Sequence, residues 1–300
     1  MKTLKTLFSL LLITVMMSSC CQQANKTSKI EKKDIGIQLY SVRDDIAKNF
    51  TETVKAVGET GFTFVEAAGY NDGKFYSLSP EEFTKAIEAA GMKALSSHTN
   101  RPLASANPDS IKWDDVWKWW DQCITAHKAA GMKYLVNSWM PVPKTLAELK
   151  TYCDYYNKIG EKCKVQGLKF GYHNHSFEFE KIEDETMYDY MLKNTNPDYV
   201  FFEMDVYCLI RGGCSPVDYF NNYPGRFKLL HIKDNKELGQ SGMVGFDAIF
   251  KNIEKAGTKH IIVEVESYSS NLTPVESIKQ SLDYLSACPL VKKSYDTKTE

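Results

Sequence analysis

A (β/α)8 barrel of the α/β class is the fold this sequence predicts, and three observations predict it. From residue 35 onward, eight short runs rich in β-forming residues alternate with longer amphipathic stretches. Glycine closes many of those stretches just before the next run, at Gly61, Gly91, Gly131, Gly167 and Gly257. Four apolar runs in the second half each end on a side chain able to bind a metal, His173, Asp205, His231 and Glu264, spaced 26 to 33 residues apart, about one βα unit each. Strand, helix and glycine recurring in this order imply parallel strands joined by crossover helices, and eight repeats favour a closed barrel over an open sheet. At 300 residues and 43 % hydrophobic content the chain has room for one such domain.

The runs, in order, are IGIQLY (35–40), TFVEAA (63–68), KALSSH (93–98), KYLVNS (133–138), LKFGYHNH (168–175), YVFFEMD (199–205), FKLLHIKD (227–234) and HIIVEVE (260–266). Between the first two, Ile46, Phe50, Val54 and Val57 fall at helical spacing and predict one helix over 44–59. Ser79-Pro80-Glu81-Glu82 is a capped helix start with proline at the first helical position. Trp113, Trp117 and Trp120 repeat at i, i+4 and i+7, the stripe of a helix packed on a core. His127 inside that helix and His260 at a strand start read as structural.

Ahead of the barrel, Lys2 and Lys5 precede an apolar run over 7–17 and then Ser18, Ser19 and Cys20, the layout of a secretory signal rather than a spanning helix. Met17-Ser18-Ser19-Cys20 resembles a bacterial lipobox. The expected organisation is therefore a signal peptide over 1–20 with lipidation at Cys20, a polar tether over 21–34, the barrel over 35–290 and a tail over 291–300. The expected location is the bacterial cell envelope, lipid-anchored and facing the periplasm. Seven further cysteines without a C-x-x-C pair argue against a zinc ribbon or a dense disulfide framework, though one or two bridges are compatible with export.

A net charge of -1 supplies no basic field for nucleic acid, so the expected partner is a small molecule. No Gly-rich phosphate loop follows any strand, and there is no G-x-S-x-G elbow. Strand ends in a parallel barrel converge on one mouth, so His173, Asp205, His231 and Glu264 form a candidate site for one divalent ion. Two imidazoles and two carboxylates suit Mn2+, Co2+, Zn2+ or Fe2+ better than Ca2+.

The segments IGIQLYSVRD, GYHNHSFEFE, FEMDVYCLIRGG, RFKLLHIKDN and KHIIVEVESY resemble the xylose isomerase-like superfamily of sugar phosphate isomerases and epimerases, which also contains inosose dehydratases and apurinic endonucleases. The resemblance covers about residues 35–288. It implies a metal held by Glu, Asp, His and Glu on the late strands. Asp205, His231 and Glu264 match the last three positions, whereas His173-Asn174-His175 stands where Glu-Asn-His is usual, and the replaced Glu often serves as one of two acid/base carboxylates.

The activity so implied is isomerisation or epimerisation of a small keto sugar, or hydration or dehydration, through an enediolate. Candidate proton-moving or orienting groups are Glu264, Glu266, His175, Lys233 and Glu178, several of them two residues from a ligand and so on its side of the strand. Gln38, Tyr40, Glu66, His98, Trp139 and Arg211 are candidate substrate contacts, with Trp139 placed to stack on a sugar ring. Export favours a substrate without phosphate, and a homo-oligomer is compatible with the reading. The alternative is a lipid-anchored carbohydrate-binding protein that has lost catalysis. An endonuclease is opposed by the near-neutral charge and the export signal.

Overall fold

The computed structural model describes residues 32–296. Eight parallel strands run through it: β1 (Gly36–Gln38), β2 (Phe64–Ala67), β3 (Lys93–Ser97), β4 (Tyr134–Asn137), β5 (Lys169–His173), β6 (Val200–Asp205), β7 (Phe227–Lys233) and β8 (His260–Glu264). They pair in the order β3-β2-β1-β8-β7-β6-β5-β4. The two end strands meet through a parallel bridge between His98 and Val136 and through the Lys133 N–H to Leu95 O bond of 2.9 Å, which closes the barrel. The expected fold is the observed one.

Helices α1 (Arg43–Lys48), α2 (Phe50–Thr60), α3 (Pro80–Ala89), α4 (Trp113–Ala129), α5 (Leu146–Val165), α6 (Met187–Asn194), α7 (Val206–Arg211), α8 (Pro216–Asn222), α9 (Phe246–Ala256) and α10 (Pro274–Ala287) fill the crossovers. Ser79 caps α3 with a full capping box, as its sequence demands. The single helix expected over 44–59 is instead two. Asn49 adopts an extended φ of -158°, and its side chain accepts the Glu52 N–H, so a residue that favours a cap over a helix interior ends α1 and starts α2. Trp120 is fully buried, with Trp113 and Trp117 partly buried against the core. His127 is buried, its Nδ1 2.7 Å from Cys123 O.

Along each strand every second residue faces the barrel interior. Phe64, Leu95, Tyr134, Val136, Phe201, Leu229 and Ile262 form one apolar cluster there. Two residues further along the same strands stand Glu66, Glu203, His231 and Glu264, all buried. The interior is thus an apolar plug capped by a polar layer. Glycines make room for the plug: a Cβ on Gly171 would lie 2.4 Å from the Phe201 ring, and one on Gly36 2.0 Å from the Phe64 ring. Gly171→Ala is expected to cost about 1–3 kcal/mol through overpacking, read as a lower urea midpoint at unchanged slope.

The packed chain continues past residue 290, with Tyr295 buried and the Asp34 N–H donating to Lys293 O at 2.7 Å. The six described cysteines are free thiols, so no disulfide forms among the described residues. No described helix is long and apolar enough to cross a membrane. The expected signal peptide, Cys20 and most of the expected tether lie outside the described residues.

Candidate functional site

Strand register sets the site. β3 bulges opposite Val65 and Glu66, shifting the pairing by one residue. The shift turns Ser96 and His98 toward Glu66, whose Oε2 accepts the Ser96 hydroxyl at 2.6 Å and whose Oε1 lies 3.0 Å from His98 Nε2. Gln38 donates to the same Glu66 Oε1 at 2.8 Å, and His231 Nε2 approaches it to 2.7 Å. Across the axis, Glu203 Oε2 lies 2.7 Å from His98 Nε2, 3.1 Å from His173 Nδ1 and 3.2 Å from His231 Nε2. These contacts form a closed inner layer.

A second layer stands nearer the mouth. His231 Nδ1 is 3.2 Å from Glu264 Oε2, and the Lys233 ammonium sits 2.9 Å from Glu264, 3.3 Å from Asp205 and 3.1 Å from Glu266. Asp205 Oδ1 caps the next turn through the Cys208 N–H, while its buried Oδ2 has no hydrogen-bond partner. Asn174 clamps the Asp205 backbone, accepting its N–H at 3.1 Å and donating to its carbonyl at 3.3 Å. The candidate ligand atoms of His173, Asp205, His231 and Glu264 all lie within 4.8 Å of one another.

That donor set fits a divalent ion. The buried Asp205 Oδ2 has Lys233 at 3.3 Å as its polar contact and makes no hydrogen bond, and the inner nitrogens of both imidazoles meet carboxylates, Glu203 for His173 and Glu66 for His231. Such contacts fix a ligating ring's orientation and tautomer. The nitrogen and oxygen mixture is that of late first-row metals.

The charges follow from burial and pairing. Burial alone would raise Glu66 and Glu264, but the facing imidazoles in one case and Lys233 with His231 in the other hold both carboxylates well below their usual range. Glu203 goes the other way, pushed up to about 7 by burial and then by the Glu66 charge. For His98, Glu66 and Glu203 outweigh burial and hold the imidazole up at about 9. His173 is driven well down by burial and by His231 and His98, and burial also lowers His175. Both are neutral near pH 7. Lys233 is raised because Asp205 and Glu264 outweigh its burial.

Above the second layer opens a cavity of about 250 Å³ whose lining includes Tyr40, His98, Trp139, His173, His175, Glu264 and Glu266. Tyr40 and Trp139 are half-exposed on two sides of it. A larger depression of about 320 Å³ on the opposite face, between Lys164, Phe201 and Lys228, holds no imidazole.

Three expected substrate contacts stand outside the cavity lining. Gln38 and Glu66 lie beneath the floor, fully buried, because the strands carrying them end on the polar layer and their side chains are taken up by each other and by His98 and His231. Arg211, the last residue of α7, is exposed and is absent from the cavity lining, because six residues of helix carry it away from the strand end. Glu178 is buried too; it accepts the Tyr172 hydroxyl at 2.8 Å and the His175 N–H at 2.9 Å, and burial pushes its carboxyl up to about 7. It holds the His175 loop and does not line the cavity. His175 lies past the end of β5, so strand alternation does not place it; it reaches the cavity through its loop, its ring 5.3 Å from that of His173. Glu203 was not among the expected residues, although its position two before Asp205 puts it on the same strand face.

A family model described as xylose isomerase-like TIM barrel matches residues 54–288. The chain belongs to that family. Within it, the solved structure of a sugar phosphate isomerase/epimerase from Parabacteroides distasonis is 35 % identical, superposes with a TM-score of 0.79, and aligns over 87 % of this chain and all of its own. An inosose dehydratase from Lacticaseibacillus casei is 24 % identical over 161 residues, 46 % of this chain and 53 % of its own. The chain spans about half the length of the curated relatives it matches. The barrel is also shared, at 14 % identity and a TM-score of 0.65 over 86 % of this chain and 98 % of the other, with the IOLI protein solved with a bound zinc atom.

Proposed function

We propose that this protein is a divalent-metal-dependent enzyme acting on a small, non-phosphorylated keto sugar, as an isomerase or epimerase or as a hydratase or dehydratase. The observation that carries the reading is the convergence of His173, Asp205, His231 and Glu264 within 4.8 Å at the floor of a cavity that Glu264, Glu266 and His175 also line. A bound ion supplies Lewis acidity toward a keto or hydroxyl oxygen. Glu266, half-exposed and 3.1 Å from Lys233, is held where it can take a proton from a carbon lying over the floor. Neutral His175 on the other side can receive or return one. Among the described residues no lysine or arginine lines the cavity, and Lys233 and His98 are both taken up by carboxylates, which argues against a phosphate on the substrate. The epimerase and dehydratase relatives support both branches of the chemistry. Anchoring at Cys20 in the cell envelope belongs to the same proposal and rests on the sequence of residues 1–20.

The test is to load the protein with Mn2+, Co2+, Zn2+ or Fe2+ in heavy water and follow ketoses and keto-glycosides by proton NMR. Loss of the C–H signal beside the carbonyl is expected. Metal-loaded protein that exchanges no proton and converts no sugar leaves the second reading, a carbohydrate-binding protein, which His173 in place of a carboxylate favours. Trp139→Ala is expected to raise KM about three- to tenfold with kcat nearly kept, since a stacked ring contributes equally to ground and transition states.

A further inference from the structure

We propose that the barrel holds a second metal seat, beneath the mouth-side one and independent of Asp205 and Glu264, built from His98, His173, Glu203 and His231. It rests on the metal reading above only in sharing His173 and His231 with it. Its four donor atoms lie within 4.8 Å of one another, and three imidazole nitrogens from three strands or strand ends aim at one carboxylate oxygen, Glu203 Oε2. The three rings form a near-regular triangle, with centroids 4.6, 4.7 and 5.1 Å apart. Ligand atoms around a four-coordinate zinc stand about 3.3 Å apart. The nitrogen to Glu203 distances are 2.7, 3.1 and 3.2 Å, so two of the three already stand near that spacing and the His98 contact has to open by about 0.6 Å.

Two further observations point to a cation there. Glu203 Oε1 is buried and has no hydrogen-bond partner, although the other oxygen of the same carboxylate meets three nitrogens. Such an orphan is costly to bury, and a two-oxygen carboxylate ligand removes it. Glu66 and Glu203 both face this layer, while Lys233 is paired with Asp205, Glu264 and Glu266 in the layer above. Glu66 Oε1, 2.7 Å from His231 Nε2 and 3.0 Å from His98 Nε2, is at hand as a further oxygen ligand.

His231 sets how the seats relate. It turns Nε2 to the inner layer and Nδ1 to Glu264. Filling one seat leaves the other nitrogen protonated and donating, whereas filling both requires an imidazolate. The chain therefore holds one ion at a time, in either of two positions. His98, 11 % exposed, and the buried His173 are the members of the inner seat that reach the cavity lining, while Glu203 and His231 lie beneath it, so an ion there is structural rather than substrate-facing.

Cobalt(II) added to the full-length protein tests this, with metal counted by mass spectrometry and geometry read from visible absorption. The wild type is expected to hold about one cobalt per chain. Asp205→Asn with Glu264→Gln, which disables the mouth-side set, is expected still to hold about one, with the strong absorption of a nitrogen-rich four-coordinate site. Adding Glu203→Gln to that pair is expected to remove it, while Glu203→Gln alone keeps one ion at the mouth and so serves as the folding control. A wild type with one cobalt and a mouth-side variant with none, its circular dichroism unchanged, overturns the inner seat and leaves the mouth-side site standing. No cobalt in any of the proteins overturns both.

Discussion

Asp205→Ala combined with His231→Ala is expected to leave the protein without bound metal and to lower turnover by about 10³-fold or more, the equivalent of the several kcal/mol that a Lewis acid contributes. Asp205 brings a carboxylate oxygen that makes no hydrogen bond, and His231 is the ring common to both layers, so this pair takes two donors from the mouth-side set and one from the inner one. Metal content of wild type and variant after reconstitution decides it. A variant that keeps a full equivalent would show that the ion, if bound, sits elsewhere in the chain.

Lys233→Met carries the largest expected effect on stability. The ammonium is 5 % exposed and lies within 3.3 Å of carboxylates from Asp205, Glu264 and Glu266, so its removal strands buried charge at a cost of about 3–5 kcal/mol. That cost belongs to the metal-free protein. A divalent ion neutralises Asp205 and Glu264 itself, so the loss shrinks when metal is present and the variant's metal affinity rises. Urea unfolding with a chelator and with saturating metal measures both. A loss below about 1 kcal/mol in chelator would mean that Lys233 is not the counter-charge of this cluster.

Both expectations rest on residues found by very different routes. Strand-ending His173, Asp205, His231 and Glu264 were legible because strand periodicity and βα spacing are local properties of a sequence. Glu66 and Gln38 were legible as strand residues but not as buried ones. How far each strand's end stands along the barrel axis depends on the stagger between strands, and single-residue shifts such as the bulge of β3 opposite Val65 and Glu66 carry no sequence mark. Glu203 escaped for a related reason. A glutamate inside FFEMD reads as an interruption of an apolar strand until three imidazoles from other strands are seen around it. The break at Asn49 was hidden because Phe50 and Val54 keep the helical spacing across it.

The apolar plug under the site decides how anything gets in. With the rings of Phe64 and Phe201 packed in the notches left by Gly36 and Gly171, and Tyr134 against Phe201, the polar layer rests on packed rings. Above it stands the cavity lined by Tyr40 and Trp139, the space the proposed sugar would fill. A bound sugar is then also a stopper: a chelator should strip metal more slowly from the protein with its ligand in place, and the slowing should vanish when Trp139 is replaced by alanine.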